Sequence, residues 1–130
     1  MILGAVEIAI LAFSGAIGTL ARVFIQGIAT KYSSPTFVWE TIVVNLMGAF
    51  LAGVLWEIVE YKEMSFNMRL FIFVGMLGCF TTFSAFALEN IQLLRAGFYR
   101  SAAFNILLSN IGGILLAFLG SVVTRYWLRG

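Results

Sequence analysis

Charged residues divide this chain into four apolar stretches, at about residues 2–29, 36–58, 70–94 and 101–128. A helix needs roughly 20 apolar residues to cross a bilayer, and each stretch meets that length. Their runs are continuous and do not alternate, which predicts helices and not the strands of a membrane barrel. The chain is 62% apolar and 11% charged, where a soluble domain carries about a quarter charged residues. That balance excludes a soluble globular protein and a disordered tail. Eight Lys and Arg stand against six Glu, too few and too scattered for a nucleic-acid surface. The sequence therefore predicts an all-α membrane protein, a single four-helix transmembrane domain whose surroundings are lipid.

The absent residues restrict the chemistry. There is no His and no Asp, and Cys79 is the single cysteine, so His relays, zinc-type sites and internal disulfides are not expected. The first basic residue is Arg22, and without a basic n-region the first stretch is expected to stay in the mature protein. Ser34 and Pro35 are expected as N-cap and first residue of the second helix. The polar segment Glu57 to Arg69 reads as the following loop, with Ser65 or Asn67 as a cap. Trp39, Trp56, Tyr61, Tyr99, Tyr126 and Trp127 lie near the expected helix ends, where aromatic belts form.

Loop cations set orientation. Lys62, Arg69, Arg125 and Arg129 fall on one side, and Arg22, Lys31, Arg95 and Arg100 on the other. This four-against-four tie predicts insertion both ways and an antiparallel homodimer; an accidental tie would leave topology to another partner. No internal inverted repeat is evident, so such symmetry needs a second chain.

Polar residues within the spans are the candidate sites. Thr41, Asn45, Gly48 and Ala52 share one face of the second helix, and Ala102, Asn105, Ser109, Gly113, Ala117 and Gly120 form a stripe on the fourth. Most of these suit a packing seam. Asn45 stands open between packing and a functional role, because its NH2 offers donors to an anion. The third stretch gathers Gly75, Gly78, Thr81, Thr82, Ser84, Phe80, Phe83 and Phe86. Clustered glycines and hydroxyls weaken a helix, and a break inside a membrane is tolerated only where it lines a cavity or holds an ion. The Phe stripe suits packing, or an anion path along electropositive ring edges. Arg22 either snorkels or draws anions to a pore mouth. Glu89 reads first as a hydrogen-bonding partner and second as a proton carrier.

Gly15-Ala-Ile-Gly18-Thr-Leu-Ala-Arg22, Thr41-Ile-Val-Val-Asn45-Leu-Met-Gly48 and Gly75-Met-Leu-Gly78-Cys-Phe-Thr81-Thr82-Phe83-Ser84-Ala85-Phe86 together resemble the signature segments of the Fluc (CrcB) fluoride channels. The resemblance covers essentially the whole chain. It implies a dual-topology antiparallel dimer in a microbial plasma or inner membrane that exports fluoride passively. It further implies a third helix broken mid-membrane, with backbone carbonyls of Gly78 and Thr81 holding a structural Na⁺ at the dimer centre. Phe83, Phe86 and Asn45 would be pore residues, Thr41, Ser84 and Ser109 would lie along the fluoride track, and Arg22 near a vestibule. Ala85 stands where relatives often carry Thr, and Asn105 where they often carry Tyr. The rival expectations are a proton-coupled small multidrug-type exporter and a non-transporting subunit of a larger complex. The former relies on a carboxylate deep in the first span, whereas Glu7 lies near the chain's start.

Overall fold

The computed structural model describes residues 3–130; Ile2, where the first span was expected to begin, lies outside the described residues. Four helical stretches are long and apolar enough to cross a membrane: Ala5–Tyr32, Glu40–Tyr61, Phe66–Arg95 and Tyr99–Arg129. Among the described residues the only β pairing is an isolated bridge between Ser34 and Phe37. We label Ala5–Ala29 α1, which runs on into a 3-10 turn at Thr30–Tyr32, and Glu40–Tyr61 α2. The third stretch comprises α3, residues 66–80, and α4, Phe83–Arg95. The fourth, Tyr99–Arg129, is α5. Wide π-helical turns occur in α3 at Leu70–Leu77 and in α5 at Leu108–Gly112.

Two boundaries differ from the sequence expectation, each for a local reason. Ser34 and Pro35 do not open α2. The Ser34 and Phe37 N–H groups each donate to the other's carbonyl, and Ser33 Oγ accepts the Trp39 N–H. These bonds close a turn, and the helix starts five residues after Pro35, at Glu40. At the other end, Glu57 belongs to α2 and not to the loop. Its carboxylate is buried against α5, where Ser121 Oγ donates to it at 2.6 Å and Arg125 Nη2 at 2.8 Å. A carboxylate is tolerated in such a place only when paired and hydrogen-bonded. Ser65 does cap α3 as expected, accepting the Met68 N–H.

Small residues let the helices approach. The Gly53 Cα of α2 faces the Ala117 carbonyl of α5, and Gly120 of α5 faces the Phe50 carbonyl of α2, so a Cβ at either would overlap backbone. This is the most extensive helix pairing in the molecule. On the other flank α1 lies on α3, with Gly18 against the Met76 carbonyl and Ser14 against Gly75. Val59, Ile72 and Leu77 form the small apolar core between α2 and α3. Much of the remaining apolar surface stays outside: Leu20 and Phe24 on α1, and Ile114, Phe118 and Trp127 on α5, are exposed. In a membrane protein these face acyl chains or another chain.

Replacing Gly53 with Leu should force α2 and α5 apart, since overpacking costs about 1–3 kcal/mol and here the obstacle is backbone. A Cβ at Gly27 meets nothing within 4 Å, so Gly27→Leu should be silent. Size-exclusion profiles and melting of the two purified variants in detergent check this; an unchanged Gly53→Leu protein would refute the close approach.

Candidate functional site

The site begins with two residues of extended backbone. Thr81 (φ −78°, ψ 156°) and Thr82 (φ −145°, ψ 113°) lie between the end of α3 and the start of α4. Leaving helical geometry frees backbone groups that lipid cannot satisfy. Asn45 on α2 takes up two of them: its Oδ1 accepts the Thr82 N–H at 2.8 Å, and its Nδ2 donates to the Thr82 carbonyl at 3.1 Å. Thr82 Oγ1 accepts the Ala85 N–H at 3.3 Å and so caps α4.

These substitutions have a second effect. In a continuous helix the Thr82 N–H would donate to the Gly78 carbonyl, and the Ala85 N–H to the Thr81 carbonyl. Both donors are used elsewhere, so the Gly78 and Thr81 oxygens lose their helical partners. The first N–H groups of α4 also point out of a helix N-terminus, whose dipole favours negative charge.

An open-sided cavity of about 450 Å³ lies beside the interruption. Asn45, Gly78, Thr81, Phe83, Phe86 and Ser109, six of the residues singled out in the sequence, line it together, along with Gly48, Thr82 and Asn110. No charged side chain lines it. The Phe83 and Phe86 rings lie 5.7 Å apart, and Phe83 is 79% exposed. Phe80 is buried and does not line the cavity. The extended pair at Thr81–Thr82 resets the helical phase, so the three phenylalanines do not form one stripe.

The three other candidates lie outside the cavity lining. Thr41 is fully buried and donates its hydroxyl to Glu89 Oε1. Ser84 is exposed, with its hydroxyl 3.4 Å from that of Thr82. Arg22 is half-buried on α1, with no hydrogen-bond partner for its buried Nε. Glu7 sits in the first turn of α1, as its sequence position suggested.

Hydroxyl chemistry at the site is largely committed. The Ser109 Oγ–H donates to Asn105 Oδ1 at 3.0 Å, and the Thr41 hydroxyl proton is spent on Glu89. Asn105 is 1% exposed, and its Nδ2 is buried without a partner. Glu89 Oε2 and Asn90 Oδ1 are buried acceptors that also lack one. Sequence reasoning passed over Asn90, whose Nδ2 donates to the Phe86 carbonyl at 2.8 Å; an amide one turn beyond Phe86 was the available signal.

Comparison with known proteins bears on this arrangement. Residues 9–121 match the family model described as CrcB-like protein, Camphor Resistance (CrcB). A protein of Parabacteroides distasonis named Fluoride-specific ion channel FluC is 38% identical over 120 residues, covering 92% of this chain and 94% of its own. Proteins of the same name from Agrobacterium fabrum (39% identical, 92% and 97% covered) and Desulforapulum autotrophicum (40%, 88% and 93%) are similar to the same extent. The matched segment contains α2, α3, α4 and the whole cavity lining, and on this ground the chain belongs to the CrcB family.

Proposed function

We propose that this multi-pass membrane protein is a passive, fluoride-selective channel that lowers fluoride in the cytoplasm, and that it works as an antiparallel homodimer. The observation that carries the reading is the uncharged, donor-bearing cavity beside Asn45 and Thr82, in a chain whose relatives are named fluoride channels.

Fluoride holds its water tightly, so a pore must offer replacement donors without trapping the ion. The Asn45 amide has a second N–H beyond the one given to Thr82. The Ser109, Thr41 and Ser84 hydroxyls supply the rest of the track, with Ser109 and Thr41 exchanging an internal acceptor for the ion. The Phe83 and Phe86 ring edges present partial positive charge. Arg22 raises anion concentration near the mouth without entering the path. An inside-negative potential drives an anion outward with about 2.3 kcal/mol per charge per 100 mV. Export therefore needs neither ATP nor a proton gradient, and no chemical reaction is catalysed.

The interruption at Thr81–Thr82 is proposed to lie at mid-membrane, as a break in the third membrane crossing. The Gly78 and Thr81 carbonyls there fit a hard cation, since unwound backbone oxygens are Na⁺ ligands in membrane proteins. A structural Na⁺ bound there would supply fixed positive charge tying the two copies together. Support for the second copy comes from the open side of the cavity, which in a single chain would expose polar groups to hydrocarbon.

Purified protein in liposomes should release fluoride on collapse of the internal potential, with chloride efflux far slower and no need for a proton gradient. Phe83→Ile and Phe86→Ile keep apolar bulk but lose the electropositive ring edges. Flux should collapse in each while the protein still purifies. Proton-dependent efflux, or drug transport without fluoride flux, would sink the channel reading; normal flux in both variants would remove the rings from the path.

Orientation offers a separate check, because loop cations act as topology signals. Lys residues added beside Lys62 and Arg69 should fix one orientation, and Lys added beside Lys31 and Arg95 the other. Each variant alone should fail to protect cells from fluoride, and co-expression should restore protection. Full protection by one variant, with its single orientation established by reporter fusions, would defeat the antiparallel dimer.

A further inference from the structure

A second cavity lies at the end of the molecule where the α1–α2 and α4–α5 connections meet. Phe37 packs on Trp39, with ring centroids 4.7 Å apart, and on Phe104 at 5.5 Å. These rings, with Arg100 and Ser101, line a groove of about 340 Å³. Trp39 is 38% exposed and Phe104 51%, so the groove opens outward. Arg100 lies in the first turn of α5, at the level where a spanning helix enters the hydrocarbon and aromatic belts form.

The two ends of the molecule treat their cations differently. At the far end Arg69 pairs with Glu60 and Arg125 with Glu57, while Lys62 and Arg129 form no ion pair among the described residues. At this end Lys31, Arg95 and Arg100 form no ion pair among the described residues, although Glu40 lies nearby in the first turn of α2. An unpaired guanidinium at the rim of an aromatic groove presents two chemistries side by side. Its fork of N–H groups matches a phosphate, and the rings beside it match an acyl chain.

We propose that this groove binds one anionic phospholipid, its phosphate on Arg100 and Ser101 and its acyl chain along Phe37, Trp39 and Phe104. The charge complementarity of Arg100, set in the groove wall beside the rings, selects an anionic lipid over a zwitterionic one. With chains inserted both ways, each leaflet would carry such a site. The proposal rests on the membrane location alone and not on fluoride conduction.

Native mass spectrometry of the purified protein, offered phosphatidylglycerol and phosphatidylcholine with identical acyl chains, tests it without measuring flux. The wild type should retain phosphatidylglycerol in about fivefold preference, the effect of one basic residue at an anionic surface. Arg100→Gln should bring that ratio close to one. Phe104→Ala should reduce retention of both lipids and leave the ratio unchanged. Arg129→Gln, at the other end, should behave as wild type. An unaltered preference in Arg100→Gln overturns the site, as does an equal loss in Arg129→Gln, which would signify diffuse surface charge.

Discussion

A helix that stops inside an apolar span must find partners for the backbone groups it releases, since hydrocarbon offers none. Here one side chain meets most of that demand. The Asn45 amide has an acceptor and a donor on one planar group, and both are spent on the N–H and carbonyl of Thr82. A carboxylate there would lose the donor, and an aliphatic residue would lose both bonds, each leaving a buried polar group at a cost of about 1–3 kcal/mol. The course of α4, and with it the directions of Phe83 and Phe86, follows from this clasp. So does the release of the Gly78 and Thr81 carbonyls, whose helical donors have been redirected to Asn45 and to Thr82 Oγ1.

The clasp works only if α2 is held close to the interruption. Gly48, one turn beyond Asn45, lies against the Thr81 methyl and the Phe80 ring, where a Cβ would clash with both. On its other flank α2 is pressed to α5 through Gly53 and Gly120, and the Glu57–Ser121–Arg125 cluster fastens their ends. The same α2–α5 contact brings Ser109 beside Asn45 in the cavity wall. Packing glycines and the polar clasp are therefore parts of one construction. The first sets a separation, and the second uses it to stabilise non-helical backbone.

Much of this was legible in the sequence, because periodicity reports which residues share a face. Thr41, Asn45 and Gly48 do turn toward the protein, and the small residues of the fourth span do face α2. What escaped were partnerships across distance. Glu57 looked like a loop residue because its neighbours Glu60, Lys62 and Glu63 are polar; only the fold brings Arg125 to it. Pro35 looked like a helix start until the Ser34–Phe37 turn claimed it. Phe80 shares a stripe with Phe83 and Phe86 only if the helical phase is unbroken, and the extended threonines break it. The resemblance puts Thr41 and Ser109 along a fluoride track, yet their hydroxyl protons point at Glu89 and Asn105. Sequence gives the inventory of donors and not the direction in which each one points.

Those committed hydroxyls bear on how a neutral path can pass an anion. A hydroxyl that turns from an internal acceptor to an ion exchanges one hydrogen bond for another, so the net change is small and the ion is not held fast. Were Ser109 or Thr41 to make that exchange, as proposed, Asn105 Oδ1 or Glu89 Oε1 would lose its donor, which calls for water or a neighbouring group to follow. Among the described residues four buried side-chain atoms lack partners: the donors Arg22 Nε and Asn105 Nδ2, and the acceptors Glu89 Oε2 and Asn90 Oδ1. In dry hydrocarbon each would cost several kcal/mol. None of the four residues lines the cavity beside the Asn45 clasp, so their demand for partners is separate from that of the open polar surface there.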